Sequence, residues 1–327
     1  VTVLVTGSSG HLGEALIRTL QAQRRATIGI DVLPGAFTNQ AGSITDRAFV
    51  RRCMKDVTTV LHAATLHTPH VATHGRQDFV DVNISGTLNL LEEAAAADVS
   101  AFVYTSTTSV FGDALVPPPG EPAAWITEDV VPVPKNIYGV TKSAAEDLCG
   151  LFARNHSLGT IVLRTSRFFP EEDDNSAIRA AYADANIKTN EFLYRRVDIE
   201  DVVSAHLLAA EYAPSAGFAK YIISASTPFA RHDAADLRSH APQVVRRYVP
   251  GYEAEFARRG WTMTPGIDRV YDNRRARTEL GWQPRHDFSA LIARLEAGED
   301  IRSPLAREVG SKGYHERVFR DGPYPVE

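Results

Sequence analysis

The sequence is short of the features that mark most specialised classes of protein. Only two cysteines, Cys53 and Cys149, occur in 327 residues, which excludes a disulfide framework and fits a reducing compartment. Nowhere do about 20 apolar residues run together, the length a membrane-spanning helix needs. The opening stretch, Val1 to Gly7, reads as a strand entering a glycine turn and not as a signal peptide. Excess positive charge is missing too. With 35 Lys and Arg against 40 Asp and Glu, the net charge is −5, so there is no electrostatic footprint for nucleic acid or an anionic membrane. Repeats and low-complexity segments are absent. What remains, 44% hydrophobic and 23% charged, is the composition of a soluble globular protein, expected in the cytoplasm. At about 150 residues per domain, the length suits two domains or one large domain with a lobe.

The first two-thirds of the chain alternate strands and helices. Strands are expected at Val1–Thr6, Thr27–Asp31, Thr59–His62, Ala101–Thr105 and Thr160–Arg164, and helices at Leu12–Gln23, Arg47–Met54, Phe79–Ala97 and Tyr138–Asn155. Continuous apolar strands between amphipathic helices predict an α/β fold, a doubly wound parallel sheet covered on both faces. Pro117, Pro118, Pro119 and Pro122 mark a surface excursion at the sheet's carboxyl edge. Beyond Pro170 the pattern is irregular: an acidic run (Glu171–Asp174), a strand–helix pair at Phe192–Tyr212, then a strand at Tyr221–Ser224. The expected division is a nucleotide-binding domain over 1–165, to which the chain returns at about 192–225. A smaller, mixed and discontinuous substrate lobe occupies 166–327.

Two clusters carry chemistry. Thr6-Gly7-Ser8-Ser9-Gly10-His11-Leu12-Gly13 joins the first strand to the first helix. Gly7 permits a tight turn, Gly10 lets a pyrophosphate approach the backbone, and Gly13 lets helix and strand pack closely. The helix amino end then offers free N–H groups and a positive dipole. Asp31 ends the second strand 18 residues after Gly13, where a carboxylate accepts ribose hydroxyls and repels a 2′-phosphate. With no Arg or Lys at positions 32 and 33, NAD is expected over NADP.

The second cluster is Tyr138-Gly139-Val140-Thr141-Lys142, a phenol and an ammonium four apart on one helical face. A free phenol, with a pKa of about 10, is a poor base at neutral pH, and a nearby ammonium can lower it. The strand Phe102–Thr105 runs into the hydroxyl-rich Ser106-Thr107-Thr108-Ser109 at the sheet's carboxyl edge, where such folds bind ligands.

In these segments the chain resembles an extended short-chain dehydrogenase/reductase of the NAD-dependent epimerase/dehydratase type. The glycine turn is similar to that family's TGxxGxxG. Gly42-Ser43-Ile44-Thr45-Asp46 resembles its adenine-side segment, and Val60–Ala64 its strand beneath the cofactor. Asp81–Leu91, Thr127-Glu128-Asp129, Arg196-Val197-Asp198 and Glu279–Pro284 follow in the family's order. The resemblance implies that Tyr138 is the acid/base, that Lys142 holds the nicotinamide ribose and lowers the phenol, and that Thr107 bonds the reacting oxygen. It also implies a cofactor cradle of Gly7, Ser9, Gly10, His11, Leu12, Gly13, Asp31, Ser43, Ile44, Ala63, Ala64 and Thr105, together with Tyr138 and Lys142. Asn83 is read as structural or cofactor-adjacent. Family members pair through the helices represented here by Phe79–Ala97 and Tyr138–Asn155, so a homodimer is expected.

The chain also departs from the family. The Asp-Glu pair that serves water elimination in 4,6-dehydratases is replaced by Thr108 and Ser109, which disfavours dehydration. Arg167 stands where many epimerases place an asparagine near the sugar, and only 25 residues separate Pro170 from Arg196. The Phe169-Pro170-Glu171 stretch resembles hexuronate dehydrogenases. Arg167 or Arg179 could grip a substrate carboxylate bidentately, or form salt bridges to the neighbouring acidic run. The expected substrate is a sugar or sugar nucleotide, with epimerisation favoured over net oxidation of a small sugar acid and a non-catalytic NAD-binding regulator third. Thr108, Arg167, Arg179 and His67 are candidate substrate contacts. His62, His67, His70 and His74 have no Cys or carboxylate in ligand spacing, so no metal site is expected.

Overall fold

The computed structural model describes residues 1–313 and Phe319. Seven strands form one parallel sheet: β1 (Thr2–Thr6), β2 (Ala26–Asp31), β3 (Gln40–Ala41), β4 (Val57–His62), β5 (Ala101–Thr107), β7 (Gly159–Thr165) and β8 (Phe218–Ile223). Their spatial order is β3-β2-β1-β4-β5-β7-β8, so the winding reverses between β1 and β4. That switch point opens a crevice at the strands' carboxyl ends.

Alternation along the strands sorts the core into two faces. Val3 and Val5 face α1 (His11–Ala22) and α8 (Ile199–Ala216). Leu4 points the other way, towards α2 (Arg47–Cys53), α4 (Gly86–Ala96) and α5 (Ile137–His156). Ahead of α4, a short α3 (Arg76–Phe79) passes through a π-helical stretch, Val80–Ser85. All three strand residues are fully buried, which is why the strands read as continuous apolar runs.

After β7 the chain forms α6 (Ser176–Ala181) and α7 (Asp184–Glu191) before α8. The strand expected from Phe192 does not form. The amides of Tyr194, Arg195 and Arg196 all donate back to the Glu191 carbonyl, so these turns consume the donors a strand would need, and one bridge, Arg167 to Arg196, remains. The chain re-enters the sheet at β8.

A smaller body follows, built from α9 (Ala234–Tyr248), α10 (Tyr252–Arg259) and α12 (Phe288–Glu296), while α11 (Arg274–Glu279) and α13 (Pro304–Val309) pack back on the sheet's core through Ala276 and Val309. Its own core holds Leu237, Val244, Phe256, Phe288 and Leu291. The proline-rich loop is not wholly a surface excursion. Its end forms β6 (Ala124–Ile126), which pairs in parallel with β9 (Arg269–Tyr271) and ties the excursion to this body. Among the described residues, no helix is long and apolar enough to cross a membrane.

Candidate active site

The phosphate turn is built as its glycines require. Gly7 has φ +73°, and a Cβ there would lie 2.8 Å from the Ala64 amide nitrogen. At Gly13 a Cβ would fall 1.9 Å from the Gly7 carbonyl oxygen, so helix α1 can start here only without a side chain. Gly10 differs: its Cβ would meet nothing nearer than the Gly7 oxygen at 3.3 Å, leaving its outer side open. Asp31 accepts the Ser9 amide at 3.0 Å and the Leu33 amide at 2.9 Å, locking the turn to the end of β2. The α1 amino end, the open side of Gly10 and a carboxylate at the strand end are together a donor set that fits a dinucleotide diphosphate and its ribose.

The strand beneath is fixed by a polar chain whose protons can be assigned. Thr6 Oγ1 accepts the amides of Ala63 and Ala64 at 3.1 and 3.0 Å. Its own proton therefore goes to His62 Nδ1 at 2.7 Å, and His62 Nε2 donates to Thr87 at 2.9 Å. Burial holds this imidazole neutral. Both ring nitrogens are spent on structure. Ile44 is buried, and its carbonyl is held by Asn89, while Ser43 caps its own turn through Thr45. Asn83 makes four bonds, to Thr65, to both backbone groups of Leu66 and to Thr141. That satisfies its whole amide and marks it as structural.

Tyr138 and Lys142 sit in the first turns of α5, whose start is set by the Asn136 side chain accepting the Gly139 amide. Both side chains are almost fully buried. The Tyr138 phenol lies near Thr107 at the carboxyl end of β5. Burial pushes the phenol above its ordinary value, and the Thr107 side chain offsets only part of this. Lys142 Nζ donates to the Thr105 carbonyl at 2.7 Å and lies 4.1 Å above the Tyr104 ring. Burial dominates the phenol, and Lys142 is not among the groups that lower it. Burial brings Lys142 itself down to about 7, against the opposing field of the Glu146 carboxylate.

The other candidates fall into two groups. His67 is drawn to the site: its ring lies 5.2 Å from Tyr138 and 5.4 Å from Phe169. Burial first, then the charges of His70 and Lys142, hold it down to about 3. Thr108 is buried at the start of the short turn after β5. The Thr105 side chain instead faces α8, where it bonds His206 at 2.8 Å. Arg167 pairs with Asp173, Asp174 and Glu191, and Arg179 donates to the Asp173 carbonyl. Of the two roles open to these arginines, the structure displays internal ion pairs for Arg167 and a backbone bond for Arg179.

Two arrangements escaped the sequence reading. His11 Nε2 meets Glu171 at 2.9 Å, and Ser311 and the Lys312 amide bond the same carboxylate oxygen. Lys312 also pairs with Glu14. The phosphate turn is thus tied to the segment after β7 and to the chain near 312. Burial would raise Glu171, but the His11 and Ser311 bonds hold it down at about 2. Beside this knot, Phe169, Lys188, Trp261 and Arg302 help to line a cavity of about 430 Å³. The second arrangement is a buried ion cluster around Glu146. Its signal was available, because Glu146 lies one helical turn beyond Lys142 on the same face.

Similarity to known proteins follows the same lines. The profile of the NAD dependent epimerase/dehydratase family matches residues 3–223. The low-salt glycan biosynthesis protein Agl12 of Haloferax volcanii is 30% identical over 182 residues, 51% of this chain and 56% of that protein. UDP-arabinose 4-epimerase 1 of Arabidopsis thaliana is 24% identical over 334 residues, 87% of this chain and 75% of its own length. Three curated relatives at 30–34% identity are matched over 40%, 56% and 36% of their own length, so the chain spans about half of each or less. Among solved structures, a short-chain dehydrogenase/reductase superfamily protein from Agrobacterium tumefaciens with bound NAD superposes with a TM-score of 0.65 at 22% identity, covering 94% of this chain and 97% of that one. UDP-N-acetylglucosamine 4-epimerase from Bacillus cereus gives 0.63 at 18% identity, covering 91% and 98%. With its glycine turn, parallel sheet and Tyr–Lys helix in the family's order, this chain belongs to the NAD-dependent epimerase/dehydratase family of extended short-chain dehydrogenases/reductases.

Proposed function

We propose that the protein is an NAD-dependent oxidoreductase that acts on a sugar hydroxyl or its ketone, and that it works as a nucleotide-sugar epimerase. The observation that carries this reading is the buried Tyr138 phenol within the influence of Thr107 at the sheet's carboxyl end, with Lys142 one turn further along the same helix. NAD, when bound, supplies the redox partner for the substrate carbon. Gly7 to Gly13, Asp31, Ser43, Ile44, Ala63 and Ala64 would hold it, and Lys142 would engage its ribose. Tyr138 takes or returns the hydroxyl proton, and Thr107 holds the same oxygen. His67, neutral and packed on Tyr138, offers the substrate a wall without charge. No carboxylate stands at 108 or 109 to remove a second proton, so elimination of water is not part of the reaction.

A second reading, net oxidation of a small hydroxy compound, is favoured by the 25 residues between Pro170 and Arg196, few for gripping a nucleotide. The engagement of Arg167 by three carboxylates weighs against a sugar acid held by that arginine. Incubation with UDP-hexoses and with hexuronates, following absorbance at 340 nm, separates the two. Epimerisation interconverts the UDP-hexoses without releasing NADH, whereas stoichiometric NADH from a hexuronate overturns it. Tyr138→Phe should lower turnover by about 100- to 10,000-fold, the range for loss of a positioned acid/base, and unchanged turnover refutes the assignment. We also propose a homodimer formed through α4 and α5. A monomer mass by light scattering at micromolar concentration refutes it.

A further inference from the structure

Glu146 is fully buried and spends its carboxylate on three strands at once. Oε1 accepts the Ser106 hydroxyl from β5 at 2.6 Å and Arg164 Nε from β7 at 3.1 Å. Oε2 accepts Arg164 Nη2 at 2.8 Å and Lys220 Nζ from β8 at 2.9 Å. Ser106 stands between Thr105, whose carbonyl holds Lys142, and Thr107, which acts on the Tyr138 phenol. The helix that carries the phenol and ammonium is therefore bolted to the strand that carries the threonine, at the residue between their two contacts.

We propose that Glu146 is the positioning residue of the Tyr138–Lys142–Thr107 set: through Ser106 it fixes α5 against β5, and its negative charge keeps the Lys142 ammonium protonated. The inference rests on the reading of Tyr138 and Lys142 given above. Lys142 faces the Tyr104 ring and the Thr105 carbonyl from β5. His62 and His67 also lie within its field, and burial keeps both neutral. On its own helix it meets Glu146 and Cys149, and burial keeps that thiol protonated. Glu146 in turn faces Arg164 and Lys220. Burial would raise its carboxyl, but Arg164 and then Lys220 bring it below the ordinary range, so it is ionised at neutral pH. It is the carboxylate of this cluster. Without it, the buried Lys142 ammonium would lose the negative charge that opposes its desolvation, and a buried ammonium so placed gives up its proton.

The chain has six lysines, few enough for each Cε signal to be followed by ¹³C NMR in the full, unliganded protein, with Lys142 identified by its loss in Lys142→Met. In Glu146→Gln the Lys142 midpoint should fall by about one pH unit, a tenfold loss of proton affinity, and Glu146→Asp should restore most of it. The alkaline limb of turnover should move down with it, which a merely structural role would not produce. Lys220→Met removes a competing cation from a side chain that is 25% exposed, so it should fold and shift the midpoint upward even if Glu146→Gln does not fold. A Lys142 midpoint unmoved by Lys220→Met, or by a folded Glu146→Gln, overturns the inference. The titration needs neither cofactor nor substrate, so retained turnover in Tyr138→Phe would sink the catalytic reading separately.

Discussion

Replacing Lys142 by methionine should make the folded protein more stable while abolishing its chemistry. The side chain is only 2% exposed, and burial lowers its pKa from 10.5 to about 7. At 1.36 kcal/mol per unit, the protonated ammonium costs the folded state about 5 kcal/mol at pH 7 and below. Methionine fills nearly the same volume without that charge. It forfeits the bond to the Thr105 carbonyl and the contact with the Tyr104 ring, together worth about 2–3 kcal/mol, so a net gain of about 2 kcal/mol is expected. The sign with pH is fixed by linkage. Between pH 7 and 10.5 the unfolded lysine keeps its proton and the folded one sheds it, so wild-type stability rises with pH. The gap to the variant should then narrow by about 1.4 kcal/mol per pH unit over that window. Every other titrating group is common to both proteins and cancels. Urea unfolding of the unliganded proteins at pH 6.5 and pH 9 measures the effect, and turnover should fall by at least about 100-fold. A variant less stable at pH 6.5, or a gap independent of pH, refutes the claim that the site stores a desolvated charge.

Other substitutions probe the cradle and its anchor. Gly13→Ala forces a Cβ to within 1.9 Å of the Gly7 oxygen, so the turn must open; the expected result is loss of the rise in melting temperature that NAD gives the wild type. Asp31→Asn keeps an acceptor for the Ser9 amide but removes the charge that repels a 2′-phosphate, and the ratio of NADP to NAD dissociation constants, measured by fluorescence, should fall by about tenfold or more, consistent with about 1.4 kcal/mol of lost electrostatic discrimination. Glu171→Gln removes a carboxylate held at about 2. A carboxyl so lowered stabilises the fold above pH 4.5 and loses that contribution as pH falls towards 2. The acid-unfolding profile of the variant should therefore be flatter than wild type over that range.

Much of the architecture was legible in the one-dimensional pattern because its causes are local. Val3, Leu4 and Val5 alternate between two faces that are both covered, and a run of such residues has few other solutions. Gly7 and Gly13 announce a turn no side chain could enter. Tyr138 and Lys142 share a helical face by spacing alone. Where the pattern misled, a local turn decided what periodicity does not show. Phe192 and its neighbours look like a strand, but the Glu191 carbonyl takes three of their amides. Arg167 has two readings in the sequence, a grip on a substrate carboxylate or ion pairs to the acidic run, and the structure shows pairs with Asp173, Asp174 and Glu191.

By itself the sequence determined the sheet, its winding, the dinucleotide turn and the identity of the phenol–ammonium pair, since helical period, strand alternation and glycine sterics act over a few residues. Only the tertiary structure decided the electrical state of that pair. A proton's affinity depends on what surrounds it in three dimensions: the depth of burial of Tyr138, the Thr105 carbonyl beneath Lys142, and the Glu146 carboxylate gathered with Arg164 and Lys220 from strands far apart in the chain.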